Sequence, residues 1–356
     1  MRGMRFLVSV LGASIIAGGS AGARTQQPPI FPSVSGPGVM VFAIQDGKWI
    51  EKQGIGYAHL QKKLRIGSNT HFRLASNSKA FTAAAILLLE QDGKLLDADP
   101  MGKFFPEFPK SLQAIEVRHL VHHTSGLPDY GEICTRSEVS REKVTNTQIL
   151  EWLKAHPELS FTPGTKWEYS NTGYVLLASL VERVSGQSFP DFVKKRIFEP
   201  LGMSSSRYFN EATENSIPDR ALGYGPWPWF EVNDRDSCNY SSGDDGIYTN
   251  IEDYGRWLTG LQGGKLFKPE FQKKVFTPGS TPDGKSTGYA YGWVVSHSGA
   301  WVGFRSAAVY RAKENLWFGF LSNYQGVPQD FVTRIQERYL KPASPGARVR
   351  TQTQGR

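Results

Sequence analysis

Three short stretches of this chain carry side chains whose types and spacing could do covalent chemistry. The first is Ser76-Asn77-Ser78-Lys79, a hydroxyl and an amine three residues apart, followed by an apolar run from Ala80 to Leu89. On a helix such a pair shares one face, so the amine can reach the oxygen. A helix N-terminus favours negative charge, which helps a serine become an alkoxide-like nucleophile. Burial alone would press Lys79 toward a free amine able to accept the serine proton. The second stretch is Tyr169-Ser170-Asn171, which opens a predicted helix with Ser170 or Asn171 as its cap. A phenol there could shuttle a proton to a leaving group. The third is His297-Ser298-Gly299 with Ala300 behind it, at the start of a predicted strand. Its glycine would let a substrate backbone come close, and the Ala300 amide could join that of Ser76 as an oxyanion hole.

Each stretch also has an ordinary reading. A four-residue S-x-x-K pattern arises by chance about once in a chain of this length, and Ser140-Arg141-Glu142-Lys143 is a second copy. That copy lies in a polar, charged stretch and reads as a solvated loop. Only Ser76 has a strand-like run before it, Thr70–Leu74, and a buried helix after it. Tyr169 alone could be a half-buried packing residue, and His297 alone a turn histidine.

The elements that must position these groups follow from periodicity. Val39–Gln45 and Trp49–Tyr57 alternate around Asp46-Gly47, which predicts a hairpin. Helices are expected over Ser76–Gln91, Thr147–Ala155, Asn171–Val184, Phe189–Phe198 and Ile251–Leu261. Strands are expected over Tyr289–Ser296, Trp301–Tyr310 and Leu316–Ser322, and a closing amphipathic helix over Pro328–Leu340. Strands, then helices, then strands and a helix predict an α+β fold: first and last segments share one antiparallel sheet, and the middle forms a helical lobe.

At 356 residues, 39% of them hydrophobic, the chain can bury one large core or two interlocked lobes. Arg2 and Arg5, an apolar run from Phe6 to Ala17 and Ala21-Gly22-Ala23 predict a signal peptide over 1–23, hence an exported protein. The run is too short for a spanning helix, an uncleaved membrane anchor is the minor alternative, and no later stretch would cross a bilayer. A linker over 24–37, a catalytic domain over 38–340 and a basic disordered tail over 341–356 complete the expected division. The formal charge of +8 is mostly peripheral. Without Arg2, Arg5, Lys341, Arg348, Arg350 and Arg356, the 41 cations fall to 35 against 33 acids, a net of +2. No basic stripe for nucleic acid is present. Cys134 and Cys238 are the two cysteines; one disulfide and two buried thiols both fit an exported chain of this size.

Other patterns have plain readings. Gly18–Gly22 matches G-x-S-x-G but falls within the signal segment. His119, His122 and His123 lack H-E-x-x-H, so a metal site is not expected. Asp244-Asp245 reads as a loop cap between glycines or as carboxylates near the site. Trp227, Trp229 and Phe230 could cover a cleft or simply pack on the surface, and Arg305 could be a substitute cation or a solvent-facing strand residue.

Together, the three stretches resemble the S-x-x-K, Y-x-N and K/H-T/S-G patterns of the serine β-lactamase and penicillin-binding-protein family. The branch is that of class C β-lactamases, D-alanyl-D-alanine carboxypeptidases and family VIII esterases. Phe72-Arg73-Leu74-Ala75, His123-Thr124-Ser125-Gly126-Leu127-Pro128, Tyr169 through Tyr174, Ile197 through Met203, and Gly246-Ile247-Tyr248-Thr249 with Asp253 and Trp257 are similar to that family too, so the resemblance spans Gly38 to Leu340. It implies a β-lactamase/transpeptidase-like fold, an antiparallel sheet flanked by N- and C-terminal helices plus a mostly helical lobe. It implies Ser76 as acylated nucleophile, Lys79 as its proton acceptor, and Tyr169 as general base and acid. Asn171 would bond the substrate amide or Lys79, and His297, Ser298 and Gly299 would line the substrate edge. The amides of Ser76 and Ala300 would hold the oxyanion. The substrate would be a small molecule or peptide, with no cofactor. His297 stands where strong β-lactamases have lysine. A histidine is mostly neutral at pH 7, which points away from fast β-lactam turnover and toward ester or D-amino-acid peptide bonds; the alternatives are a class C-type β-lactamase with true β-lactam turnover and a catalytically silent envelope-peptide-binding relative.

Overall fold

The computed structural model describes residues 35–136, 143–210, 213, 215–238, 240–293 and 296–340. The expected signal segment, most of the linker, the tail and Ser140–Glu142 lie outside the described residues. Strands β1 (Val39–Gln45), β2 (Lys48–Ile55), β3 (Tyr57–His59), β4 (Leu64–Arg65) and β5 (Phe72–Arg73) come first, and β6 (Arg207–Tyr208) and β7 (Ile247–Thr249) lie mid-chain. Strands β8 (Ser296–Trp301), β9 (Phe304–Arg311) and β10 (Leu316–Ser322) close the chain's sheet content. The helices are α1 (Lys79–Gln91), α2 (Lys110–Gln113), α3 (Val117–Val121), α4 (Gly131–Arg136), α5 (Asn146–Ala155), α6 (Asn171–Ser185), α7 (Phe189–Val193), α8 (Glu199–Leu201), α9 (Ile251–Gly260), α10 (Pro269–Lys274) and α11 (Gln329–Leu340).

The main sheet runs β2-β1-β10-β9-β8, antiparallel throughout, so the first and last segments do share one sheet. Asp46 and Gly47 both take positive φ, as a tight two-residue hairpin turn requires. Alternation divides the sheet's two faces. Val39, Val41, Ala43, Phe318 and Phe320 pack on Phe331 and Ile335 of α11. Met40, Phe42 and Ile44 join the larger core that the helical lobe shares. Helix α1 is buried along nearly its whole length, from Lys79 to Glu90. That explains why it reads as an unbroken apolar run with no polar stripe. Phe81 stacks on Trp257 of α9 with centroids 3.7 Å apart, which locks α1 to the lobe.

Two expected strands are corrected. Tyr289–Trp293 forms no strand: Gly288 and Gly292 take positive φ, and a Cβ at Gly292 would lie 2.5 Å from the Ala80 backbone. The alternation there comes from aromatic side chains of a loop entering the core. The run Trp301–Tyr310 is broken by a turn at Val302-Gly303, so that β8 and β9 form a hairpin. Cys134 and Cys238, whose pairing the sequence left open, are joined in a disulfide across 104 residues. It ties α4 to the loop that leads into Asp244. Replacing both cysteines with serine should cost about 2–5 kcal/mol, measured by denaturant unfolding. Equal stability with and without the bond would contradict its structural role.

Candidate active site

Ser76 lies in a single 3₁₀ turn, Ala75–Ser78, and α1 begins only at Lys79. A 3₁₀ turn has three residues per turn, so side chains at i and i+3 eclipse. This sets Lys79 Nζ 3.3 Å from Ser76 Oγ. The turn is forced by Ala75, whose φ of +50° is left-handed and costs a non-glycine residue about 1–2 kcal/mol. Its neighbours hold that strain in place. Leu74 N–H donates to Ile247 O at 2.9 Å, Ser306 Oγ donates to Leu74 O at 2.6 Å, and Asn77 Nδ2 donates to Ser306 Oγ at 2.7 Å.

Lys79 is fully buried and its ammonium is satisfied by three parts of the chain. Besides Ser76, it donates to Asn171 Oδ1 at 2.8 Å and to the Asp244 carbonyl at 3.0 Å. The Tyr169 ring also faces it, with the amine 5.0 Å from the ring centre. Burial pulls Lys79 down, but Tyr169 and the carboxylates of Asp244 and Asp245 together hold it above the ordinary lysine value. The expectation of a free amine is therefore corrected, because the desolvation that would neutralise Lys79 is outweighed by anionic and hydrogen-bonding partners. As a fixed cation, Lys79 can stabilise charge on the oxygens of Ser76 and Tyr169, whereas accepting a proton requires a neutral amine.

The loop Gly243-Asp244-Asp245-Gly246 threads between α1 and α6, with both glycines at φ +109° and a Cβ at Gly243 placed 2.2 Å from Tyr174 O. Only glycine fits there, and the fit presses the Asp244 carbonyl onto Lys79. The Asp244 side chain accepts from Tyr130 Oη at 2.7 Å. Burial, opposed by Lys79 and reinforced by Asp245, lifts its carboxyl to about 6. Asp245 instead pairs with buried Arg73 at 3.0 Å.

Tyr169 is placed by a residue that sequence reading treated only as part of a turn. His123, at φ +57°, accepts Glu168 N–H on its carbonyl at 2.9 Å and Ser170 N–H on Nδ1 at 3.1 Å. Its ring lies 4.4 Å from the Tyr169 ring, so both neighbours of Tyr169 and the ring itself rest on one histidine, Glu168 on its carbonyl and the other two on its imidazole. Desolvation and the Lys79 charge keep His123 well below the usual histidine range, hence neutral. His119 accepts Glu116 N–H as part of a helix cap, and His122 meets Tyr289 O at 3.0 Å, so the three histidines do not converge. Asp129 was also missed. Its Oδ2 accepts from Asn171 Nδ2 at 3.1 Å, which fixes the amide so that Oδ1 faces Lys79. Nothing in its spacing marks it, because the contact spans 42 residues.

Strand β8 is an edge strand of the main sheet and passes the Ser76 turn. A Cβ on Gly299 would sit 2.4 Å from Leu74 O and 3.0 Å from Ala75 Cβ. Contact between strand and turn therefore requires a glycine at this position. Ser298 and Ala300 are exposed, on the opposite face of the strand from His297 and Gly299. His297 is buried, with Nε2 3.0 Å from Tyr289 Oη. Burial, aided by the Lys79 charge, lowers it to about 3, so it is neutral at physiological pH. Arg305 does not replace a lysine there, since its guanidinium donates to the Val302 and Phe304 carbonyls. Trp227 and Trp229 are 72% and 80% exposed and neither close a cleft nor pack.

Two outcomes follow. Gly299→Ala should drive a Cβ into the Leu74 carbonyl and cost about 1–3 kcal/mol of stability, measured by denaturant unfolding; wild-type stability would contradict the contact. The raised Asp244 carboxyl disfavours the folded state once ionised, and this cost appears as pH rises from about 4 through about 6. Asp244→Asn removes it, so the stability of the variant relative to wild type should improve by up to ~3 kcal/mol between pH 4 and pH 8. A pH-independent difference in denaturant unfolding would refute the assignment.

Residues 30–341 match the family model described as Beta-lactamase. Penicillin-binding protein 4* of Bacillus subtilis (strain 168) is 34% identical over 336 residues, 85% of this chain and 70% of that protein. A D-aminopeptidase of Gluconobacter oxydans (strain 621H) is 27% identical over 314 residues, 85% of this chain and 58% of that protein. Other curated relatives are likewise longer, the chain spanning 61–62% of their length. The octameric penicillin-binding protein homologue from Pyrococcus abyssi superposes with a TM-score of 0.73 at 25% identity, covering 85% of this chain and 73% of that one. With its α+β architecture and its match across most of its length, this chain belongs to the beta-lactamase family.

Proposed function

We propose that this protein is an exported serine hydrolase that forms an acyl-enzyme on Ser76. The observation that carries this reading is the single buried ammonium shared by Ser76, Asn171 and the Asp244 carbonyl. Ser76 Oγ attacks the substrate carbonyl carbon and its proton passes to the Tyr169 oxygen, beside the Lys79 ammonium. The amides of Ser76 and Ala300 hold the oxyanion. As the tetrahedral adduct collapses, the bond to the leaving nitrogen or oxygen breaks and Tyr169 returns the proton to it. Water then enters by the same route in reverse, releasing the acid and free Ser76. Asn171 orients the substrate amide together with Lys79. Lys79 acts as a fixed charge rather than as the proton acceptor. No step needs a metal or organic cofactor.

Substrate choice rests on charge. A neutral His297 offers no cation to a substrate carboxylate, while exposed Asp129 places an anion beside Asn171. That balance favours neutral or amine-bearing acyl donors, such as esters and D-amino-acid amides or peptides, over carboxylate-bearing β-lactams. The D-aminopeptidase relative supports the same direction. Export is supported by the charged and apolar N-terminal pattern and by the disulfide. Labelling with a fluorophosphonate followed by peptide mass spectrometry should place one adduct on Ser76 and none on Ser76→Ala. An unlabelled wild type would sink the acyl-enzyme reading. Turnover of a short p-nitrophenyl ester and of a D-amino-acid amide should exceed that of a chromogenic cephalosporin by about tenfold or more, equivalent to ~1.4 kcal/mol in the barrier. A faster cephalosporin would make a class C-type β-lactamase the better description.

A further inference from the structure

Beyond the hydrolytic site, one surface combines exposed aromatic and basic side chains in a way that neither the fold nor the chemistry requires. It is built on the loop from Tyr224 to Val232. Tyr224 and Val232 bridge its base, and Gly225 N–H donates to Glu231 O at 2.8 Å. The base is fastened to the sheet end, since Tyr224 N–H donates to Asn323 O at 3.0 Å and Gly303 N–H donates to Asn233 O at 2.7 Å. Phe230 folds inward against Tyr324, with ring centres 5.7 Å apart. Trp227, Trp229 and Val232 remain 72%, 80% and 52% exposed. Pro226 and Pro228 limit the ways this loop could fold them away.

The hairpin β3–β4 adjoins this loop. Leu60 N–H donates to Tyr224 Oη at 2.8 Å, Leu222 N–H donates to Ala58 O at 3.0 Å, and Asn323 Nδ2 bonds the carbonyls of Tyr57, Ala58 and Leu222. Beyond that joint, residues 61–65 are all exposed and include Lys62, Lys63 and Arg65 with Leu64. On the aromatic side Arg235 shares buried Asp234 with Arg220, and the exposed acids are Glu231 and Asp236. Cations therefore exceed exposed acids on this surface.

We propose that this surface docks the protein on an anionic phospholipid bilayer, with the two indoles at headgroup depth and Lys62 and Lys63 over the anionic headgroups. An indole has an apolar body and one polar N–H, and it partitions to the boundary between hydrocarbon and water. Lysines near a negatively charged leaflet add attraction that salt screens. A soluble anionic polymer would use the lysines without needing two protruding indoles, and a neutral surface would gain nothing from the lysines. The combination fits a charged lipid surface.

The test is cosedimentation of the full chain with vesicles of phosphatidylcholine alone or mixed with phosphatidylglycerol. Binding should require phosphatidylglycerol and weaken as salt is raised. Lys62→Ser with Lys63→Ser should weaken it about thirtyfold, two charges' worth at the leaflet. Trp227→Ser with Trp229→Ser should weaken it about tenfold, and neither pair should alter hydrolysis of a soluble ester. Three results would overturn the proposal: no vesicle binding by wild type, binding undiminished in both double variants, or tighter binding to a soluble anionic polysaccharide than to the mixed vesicles.

Discussion

The interaction on which the rest of this structure depends is the burial of the Lys79 ammonium. Taking an isolated cation out of water costs several kcal/mol even after relaxation, and it is tolerated only where partners converge on it. Here the partners come from residues 76, 171 and 244, which are brought together by a 3₁₀ turn, a helix N-terminus and a glycine-flanked loop. None of these three elements could move alone without leaving the charge unpaired. The same requirement accounts for the helical lobe, because α6 must start close enough to α1 for Asn171 to reach Lys79. It also accounts for Gly243, which lets the Asp244 loop pass between those helices.

Around this cation the site is otherwise kept neutral or locally balanced. His123 and His297 are both pressed to their neutral forms by burial and by Lys79 itself, and Arg73 and Asp245 cancel as a buried pair. In such surroundings one ammonium acts on nearby oxygens with little competition and little screening. Asp244 adjusts that field from behind, and Asp129 adjusts the position of Asn171 from the open side.

Much of the fold was legible in the sequence. The hairpin at Asp46-Gly47, the buried run of α1, α6 from Asn171 and the final strand and helix all carry local signals strong enough to survive packing. The same holds for Ser76, Lys79, Tyr169 and Asn171, which the structure brings to one point. What could not be read depends on contacts between distant segments. The protonation of Lys79 is set by groups 90 or more residues away. His123 works through a left-handed backbone that no pattern announces, and Gly299 is glycine because of Leu74. The aromatic alternation of Tyr289–Trp293 mimicked a strand because a loop crossing the core can alternate too.

The antiparallel pairing of β1 with β10, in register from Val39 with Ser322 to Gln45 with Leu316, has a consequence in time as well as in space. The nucleophile turn is synthesised early, yet the strand that braces it, β8, and the partner that completes β1 belong to the last fifth of the described chain. Loop closure over such a span is slow compared with the formation of local helices. During synthesis the protein therefore carries its serine and lysine long before it carries a site. The site is completed only when the chain is nearly whole, so a truncated product would hold the motif and lack the strand that braces it.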